Sequence, residues 1–294
     1  MSQPSAESVV PEKPATIWLC CCEAGLGGEG VPSALAQAAR ALAAVGVHYP
    51  LDPLARRRAE AGCTVAAHLT AAAPVLIDSH PGTLLLTCAG LPEPALLETL
   101  AASRARLRVL VVVRDPLEDA LACYQQALKT GASEAFEAFL ERYHAPQRLQ
   151  RLACHLGEAG VAHTVLNRDR HDLPALLARL GDWLGLVPGT LHPVASERGL
   201  TASELIFQRA YNRHNPPEAA RLLSLALCRG LPDLDPGLPP VRPAVLKDFA
   251  ARMGEAIAAD TVLSATERYR LDAPPALLAR FVRPDRQAIH HLSA

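Results

Sequence analysis

Apolar and polar positions alternate along this chain in a way that predicts short buried strands separated by amphipathic helices. Residues 107–113, LRVLVVV, form an apolar run interrupted only by Arg108. Its brevity and its β-branched residues predict a strand covered on both faces of a parallel sheet. A helix should follow at once. Pro116 suits a first helical position, Asp115 a cap, and Glu118 stands at capping-box spacing from it. Leu117, Leu121, Tyr124 and Leu128 then recur at helical intervals as one apolar stripe.

The same reading extends in both directions. Ile17–Cys22 predicts a first strand, and Pro32-Ser33 opens an Ala/Leu-rich helix to about Val45. Short strands are predicted at Val75–Asp78 and Thr83–Cys88, with a helix from Glu93 to Ala102 leading into the central strand. Ser133 is placed to cap a helix through Tyr143. A helix from Pro146 to Gly157, a strand at Gly160–Leu166 and a helix from Leu173 to Leu184 come next, the last stopped at Gly185. Residues 195–229 read as helical, with Ser203, Phe207 and Tyr211 on one side. Residues 231–243 are proline-rich and predict an irregular connector, and a closing helix is expected beyond Tyr269. Strands alternating with helices give an α/β class: three layers around a central, mostly parallel sheet. Residues 1–16 read as a flexible lead-in, and 17–294 as one domain whose C-terminal part, from about 195, is helical.

Composition narrows this only modestly. Of the 294 residues, 50% are hydrophobic, enough for a sizeable core. The net charge of −1 supplies no basic field for nucleic acid or an anionic membrane. No apolar stretch approaches the roughly 18 residues of a membrane span, and a cytoplasmic protein is expected. The eight cysteines do not form paired C-x-x-C motifs. Cys20, Cys21 and Cys22 fall inside the first strand, so they read as reduced core thiols and not as metal ligands. The terminal His290-His291 pair has no further ligand nearby in sequence, so no metal is expected.

Candidate chemistry gathers where strands end. Arg114 stands at the carboxyl end of the 107–113 strand, beside a helix N-terminus. Free N–H groups and a guanidinium fork suit a phosphate there; the alternative is that Arg114 pairs with Asp115, Glu118 or a loop carbonyl. After the first strand comes Glu23-Ala24-Gly25-Leu26-Gly27-Gly28-Glu29-Gly30, with Ser33 the hydroxyl at the helix start. A strand, glycine loop and helix can wrap a phosphate in backbone N–H groups. Gly25, Gly27 and Gly30 also satisfy G-x-G-x-x-G. That pattern asks for a carboxylate ending a second strand, which Asp52 after Gly46–Tyr49 fits poorly. A tight turn holding no ligand is the third reading. His80, after the 75–78 strand, is either a general base toward a hydroxyl or a plain turn histidine.

The segment R-D-P-x-E-x-A-x-x-x-Y from Arg114 resembles the 3′-phosphate-binding segment of the sulfotransferase family. The following order resembles that of bacterial carbohydrate-type members: Ser133–Leu140, the strand Val161–Leu166, then Asp182-Trp183-Leu184-Gly185-Leu186. The resemblance covers about residues 17–190. It implies a sulfotransferase/P-loop-like fold and 3′-phosphoadenosine 5′-phosphosulfate as donor, with a hydroxyl acceptor that is carbohydrate in many members. It implies Arg114 and Arg198 at the 3′-phosphate, and Gly25, Gly27, Gly28, Gly30 and Ser33 around the 5′-phosphosulfate. The chain departs from the family pattern in two places. Ala122 stands where a phosphate-binding Ser is expected. No Lys or Arg occurs between Lys13 and Arg40, and Glu23 and Glu29 flank the glycines instead. Two functional expectations follow: an active sulfotransferase, or a catalytically degenerate relative that binds or scaffolds. A dinucleotide-binding enzyme is a lesser third.

Overall fold

The computed structural model describes residues 16–22, 30–61, 82–92, 94–103, 105–194, 198–230 and 237–282. The expected strand at 75–78, His80, Gly25, Gly27, Gly28, the two loop glutamates and the terminal histidines lie outside the described residues.

Among the described residues five parallel strands form the sheet: β1 (Thr16–Cys22), β2 (Val47–His48), β3 (Thr83–Ala89), β4 (Arg106–Val113) and β5 (Ala162–Asn167). Their order is β2-β3-β1-β4-β5. β1 lies between β3 and β4, with Cys21 paired to Cys88 and Cys22 to Val112. The chain moves to one side of β1 for β2 and β3, then to the other for β4 and β5. The crevice beyond the carboxyl ends of β1 and β4 is therefore a topological switch point, the usual place for a ligand in an open parallel sheet.

Alternation along the strands sorts the core into two apolar layers. Cys20, Cys22, Leu110, Val112 and Leu166 face one layer. It is covered by α1 (Gly30–Gln37), α2 (Ala39–Ala44), α3 (Pro53–Glu60) and, further along the chain, the helix Leu173–Leu184. Ile17, Leu19, Cys21, Leu86, Val109 and Val111 face the other. That side is covered by α4 (Pro94–Ala102) and by the helix Ala145–Glu158. The fold is thus a three-layer α/β sandwich, as the strand–helix alternation predicts.

Helix α5 (Pro116–Lys129) follows β4 and buries the expected stripe of Leu117, Leu121, Tyr124 and Leu128. It shares a third apolar cluster with α6 (Phe136–Arg142) and the C-terminal helices. After α7 (Ala145–Glu158) and α8 (Leu173–Leu184), these are α9 (Ala202–Asn212), α10 (Pro217–Gly230), α11 (Pro243–Ala258) and α12 (Pro274–Val282). α8 ends at Gly185, whose φ of 69° is the left-handed cap that glycine tolerates at least cost. Among the described residues no helix is long and apolar enough to cross a membrane.

Several local expectations need correction. The first helix starts at Gly30, inside the glycine segment, and is interrupted at Ala38 so that α1 and α2 are separate. Ser133 does not cap α6. Ala135 occupies that position without a side-chain bond, and the helix begins at Phe136, which drops into the aromatic cluster with Tyr124. On α9 the buried positions are Leu205, Gln208 and Asn212, while Ser203 and Phe207 face outward. Gln208 and Asn212 are polar yet buried: Gln208 Nε2 donates to Asn212 Oδ1 and to the Ala220 carbonyl of α10, and Asn212 Nδ2 donates to the Leu128 carbonyl of α5.

Candidate functional site

Three strand ends converge at the switch point. β1 stops at Cys22, β4 at Val113 and β5 at Asn167. Directly after β5 comes Asn167-Arg168-Asp169-Arg170, the last three residues forming a short 3-10 turn. This turn organises the site, and the sequence reading had not singled it out.

Asp169 lies against the β4–α5 junction. Its Oδ1 accepts from Arg114 Nη2 at 3.1 Å, and its Oδ2 accepts from the Asp115 backbone N–H at 2.7 Å. Arg114 therefore pairs with Asp169, and not with Asp115, Glu118 or a loop carbonyl. The Arg114 and Asp169 side chains are 15% and 19% exposed, so the pair is only partly screened. The remaining Arg114 nitrogen, Nη1, is buried and has no hydrogen-bond partner. A buried guanidinium N–H left unpaired is costly, and such an atom marks a place where an acceptor fits.

Asp115 does not cap α5 through its side chain, contrary to the capping-box reading. Its carboxylate instead takes Asn167 Nδ2 at 2.9 Å, the Arg270 backbone N–H at 2.9 Å and the Arg170 guanidinium. Three bonds, one of them from a guanidinium, outcompete the single cap bond that the helix N-terminus offers this carboxylate. Glu118 is likewise drawn outward to Arg280. Asn167, fully buried, also holds Asp169 N–H at 3.0 Å through its Oδ1 and gives its own N–H to Glu267 at 2.6 Å. Glu267 in turn accepts from His171 at 2.8 Å. Asn167 and Asp115 thus tie β4, β5 and the segment before α12 into one polar network.

Arg168 lies on the other side. Side chains alternate along a strand, and Arg168 continues the series of Leu166, which belongs with Cys22 and Val112 to the layer under α1. Burial holds its guanidinium below the usual arginine range. The nearby Arg114 cation pushes the same way, and Asp169 and Cys22 oppose it. Cys22 ends β1, so the Arg168 charge, carried at the end of β5, is felt across β4 at the last residue of β1. Gly30 opens α1 close by, and a Cβ built on it would stand 3.7 Å from Leu173 at the head of α8. Ser33, in the first turn of α1, is fully buried.

The thiols at this end are core groups, as their placement within the first strand predicts. Cys20 and Cys22 stand 3.4 Å apart by their sulfurs on one face. A hydrogen bond with Cys88, and then burial, raises the Cys21 thiol well above its ordinary value; Cys20 and burial do the same for Cys22. Both stay protonated.

Other candidates fall elsewhere. Arg198 forks onto Glu204 at 2.7 Å through both Nη atoms and donates to the carbonyls of Gly199 and Leu227, next to the capping box of α9. Arg40 is exposed beside Glu60, and Arg56, Arg57 and Arg58 form an exposed face of α3. Asp52 caps α3 through bonds from Leu54 and Ala55 at 2.8 Å, and β3 separates its strand from β1. It is thus not the carboxylate that the dinucleotide reading asks for. Ala122 is buried on α5 and offers no hydroxyl.

No family model matches the chain, and no curated protein matches it. Solved structures do. A sulfotransferase from Alicyclobacillus acidocaldarius aligns at 11% identity and a TM-score of 0.44, covering 90% of this chain and 99% of that one. A retinol dehydratase in a complex with retinol and PAP aligns at 12% identity and a TM-score of 0.40, covering 87% of this chain and 84% of that one.

Proposed function

We propose that this chain binds 3′-phosphoadenosine 5′-phosphosulfate at the carboxyl end of its sheet and transfers the sulfuryl group to a hydroxyl acceptor, carbohydrate being the class that the resemblance implies. The observation that carries the proposal is Arg114. It follows the R-D-P segment's strand, borders the N-terminus of α5, and keeps one buried guanidinium nitrogen without an acceptor. A 3′-phosphate oxygen would satisfy that atom. The acceptor oxygen would attack sulfur in line, forming the new S–O bond as the bond from sulfur to the bridging oxygen of the 5′-phosphate breaks. The electron pair leaves on the phosphate and the hydroxyl proton passes to a base, for which His80 is the proposed residue. Positioning and charge stabilisation supply the acceleration in a transfer of this kind.

A second reading is favoured by one specific observation. Asp169 occupies both the Nε/Nη2 edge of Arg114 and the Asp115 N–H, so an internal carboxylate already sits on donors that a phosphate would use. With Ala122 in place of a hydroxyl, this favours a chain that keeps the fold as a binding module without transfer. Each lost bond to a charged group costs about 1.5–3 kcal/mol.

Titration calorimetry with 3′-phosphoadenosine 5′-phosphate separates the two. The donor reading predicts micromolar binding by the wild type and none by Arg114→Ala. Absence of binding by both proteins at millimolar nucleotide would leave the module reading.

A further inference from the structure

We propose that Arg168 is the cation that holds the 5′-phosphosulfate end of the donor, in place of the basic residue absent from the glycine-rich segment. The inference rests on the donor reading above.

Four observations converge on Arg168. The chain has no Lys or Arg between Lys13 and Arg40, so a cation at the end of β1 must come from elsewhere in the fold. Arg168 follows β5 and continues the face that Leu166 and Cys22 share, the face covered by α1. It lies within electrostatic reach of Cys22, the last residue of β1, and of Arg114. Arg40, Arg56, Arg57 and Arg58 are exposed on the outer helices, and Arg198 lies beside the capping box of α9. None of these belongs to the end of β1.

The electrostatics also favour an anion here. Two guanidinium groups held near one another at a partly buried site repel, and a ligand carrying negative charge at two ends relieves both. During transfer the 5′-phosphate gains charge as the sulfur–oxygen bond breaks. A fixed guanidinium beside it stabilises that charge in the transition state without reorganisation. α1 adds backbone N–H groups at Gly30 and the residues after it.

The test compares two nucleotides on three proteins. Wild type, Arg168→Gln and Arg168→Lys are titrated with 3′-phosphoadenosine 5′-phosphate and with adenosine 3′-phosphate, which lacks the 5′ group; thermal melts report folding. Arg168→Gln should weaken the bisphosphate by about 10- to 100-fold, the loss of one bond to a charged group. It should leave adenosine 3′-phosphate unchanged. Arg168→Lys should fall between, because an ammonium keeps the charge without the fork. If Arg168→Gln is unfolded, the lysine variant decides: it should weaken the bisphosphate severalfold with adenosine 3′-phosphate unaltered. Equal bisphosphate affinity in the folded variants and wild type overturns the inference and leaves the donor reading intact. An equal loss for both nucleotides moves Arg168 to the 3′ side and also overturns it. Failure of the wild type to bind either nucleotide overturns both.

Discussion

Past β1 the chain runs through glycines and two glutamates and enters a helix whose first seven residues are buried. Past β5 it runs through Asn167-Arg168-Asp169-Arg170, polar residues that bond to β4, to α5 and to the segment before α12. The two regions meet at one end of one sheet and are held by different forces. The β1–α1 side rests on apolar packing among Cys22, Val31, Leu35 and Leu176. The β4–β5 side rests on ion pairs and hydrogen bonds that lace three separate segments. Apolar packing lets α1 approach the sheet without supplying charge. The polar network supplies charge and fixes its direction. A phosphate site needs both, and the site proposed above draws its charge from across the sheet.

The difference can be broken from either side. Leu35 is fully buried in the α1 layer, and Leu35→Ala should cost about 3–4 kcal/mol in transfer and cavity terms. Urea melts should show that loss to be insensitive to ionic strength. Asp115→Ala should cost somewhat less, about 2–3 kcal/mol, because it leaves the Arg170 guanidinium, 9% exposed, without its carboxylate. Here the loss should change modestly between low and high salt, since at 9% and 15% exposure the pair is partly screened. If both variants respond identically to salt, the contrast between the two regions is wrong.

A third probe lies outside both regions. Burial alone would raise the Glu204 carboxyl, but the Arg198 fork and the Thr201 N–H outweigh it and hold it below its ordinary value. A depressed folded value means the stabilisation is present above the ordinary glutamate range and is lost as pH falls through the lowered value. Wild type should therefore lose stability on acidification over a window that Glu204→Gln lacks, read as the difference between their melting curves from pH 6 downward. The effect should be smaller than either substitution above. The smallest change is expected for Arg40→Ala. Its side chain is 94% exposed beside Glu60, and its melting temperature should match wild type.

The elements built from local signals were readable in the sequence. The β4 run, the α5 stripe and the Gly185 stop each depend on neighbours a few residues away. Asp115 shows where that reasoning stops. Its capping-box spacing with Glu118 is real, yet Asn167, Arg170 and Arg270 arrive from distant segments and claim the carboxylate. Arg168 was missed for a related reason. Its proposed role depends on sheet order, which sets the end of β5 two strands from β1. One signal was available: a run of charged residues immediately after a predicted parallel strand, with Arg168 in phase with Leu166. Arg198 shows the reverse case. The family resemblance implies a 3′-phosphate contact for it, and its fork is engaged by Glu204 six residues on.

The central claim is that one nucleotide spans Arg114 and Arg168 across the switch point. A crystal structure of the chain grown with 3′-phosphoadenosine 5′-phosphate tests it most directly. The account predicts a 3′-phosphate oxygen within hydrogen-bonding distance of Arg114 Nη1, and the 5′-phosphate between Arg168 and the N-terminus of α1. A nucleotide bound elsewhere, or an unchanged Arg114–Asp169 pair with no nucleotide at millimolar concentration, would contradict it.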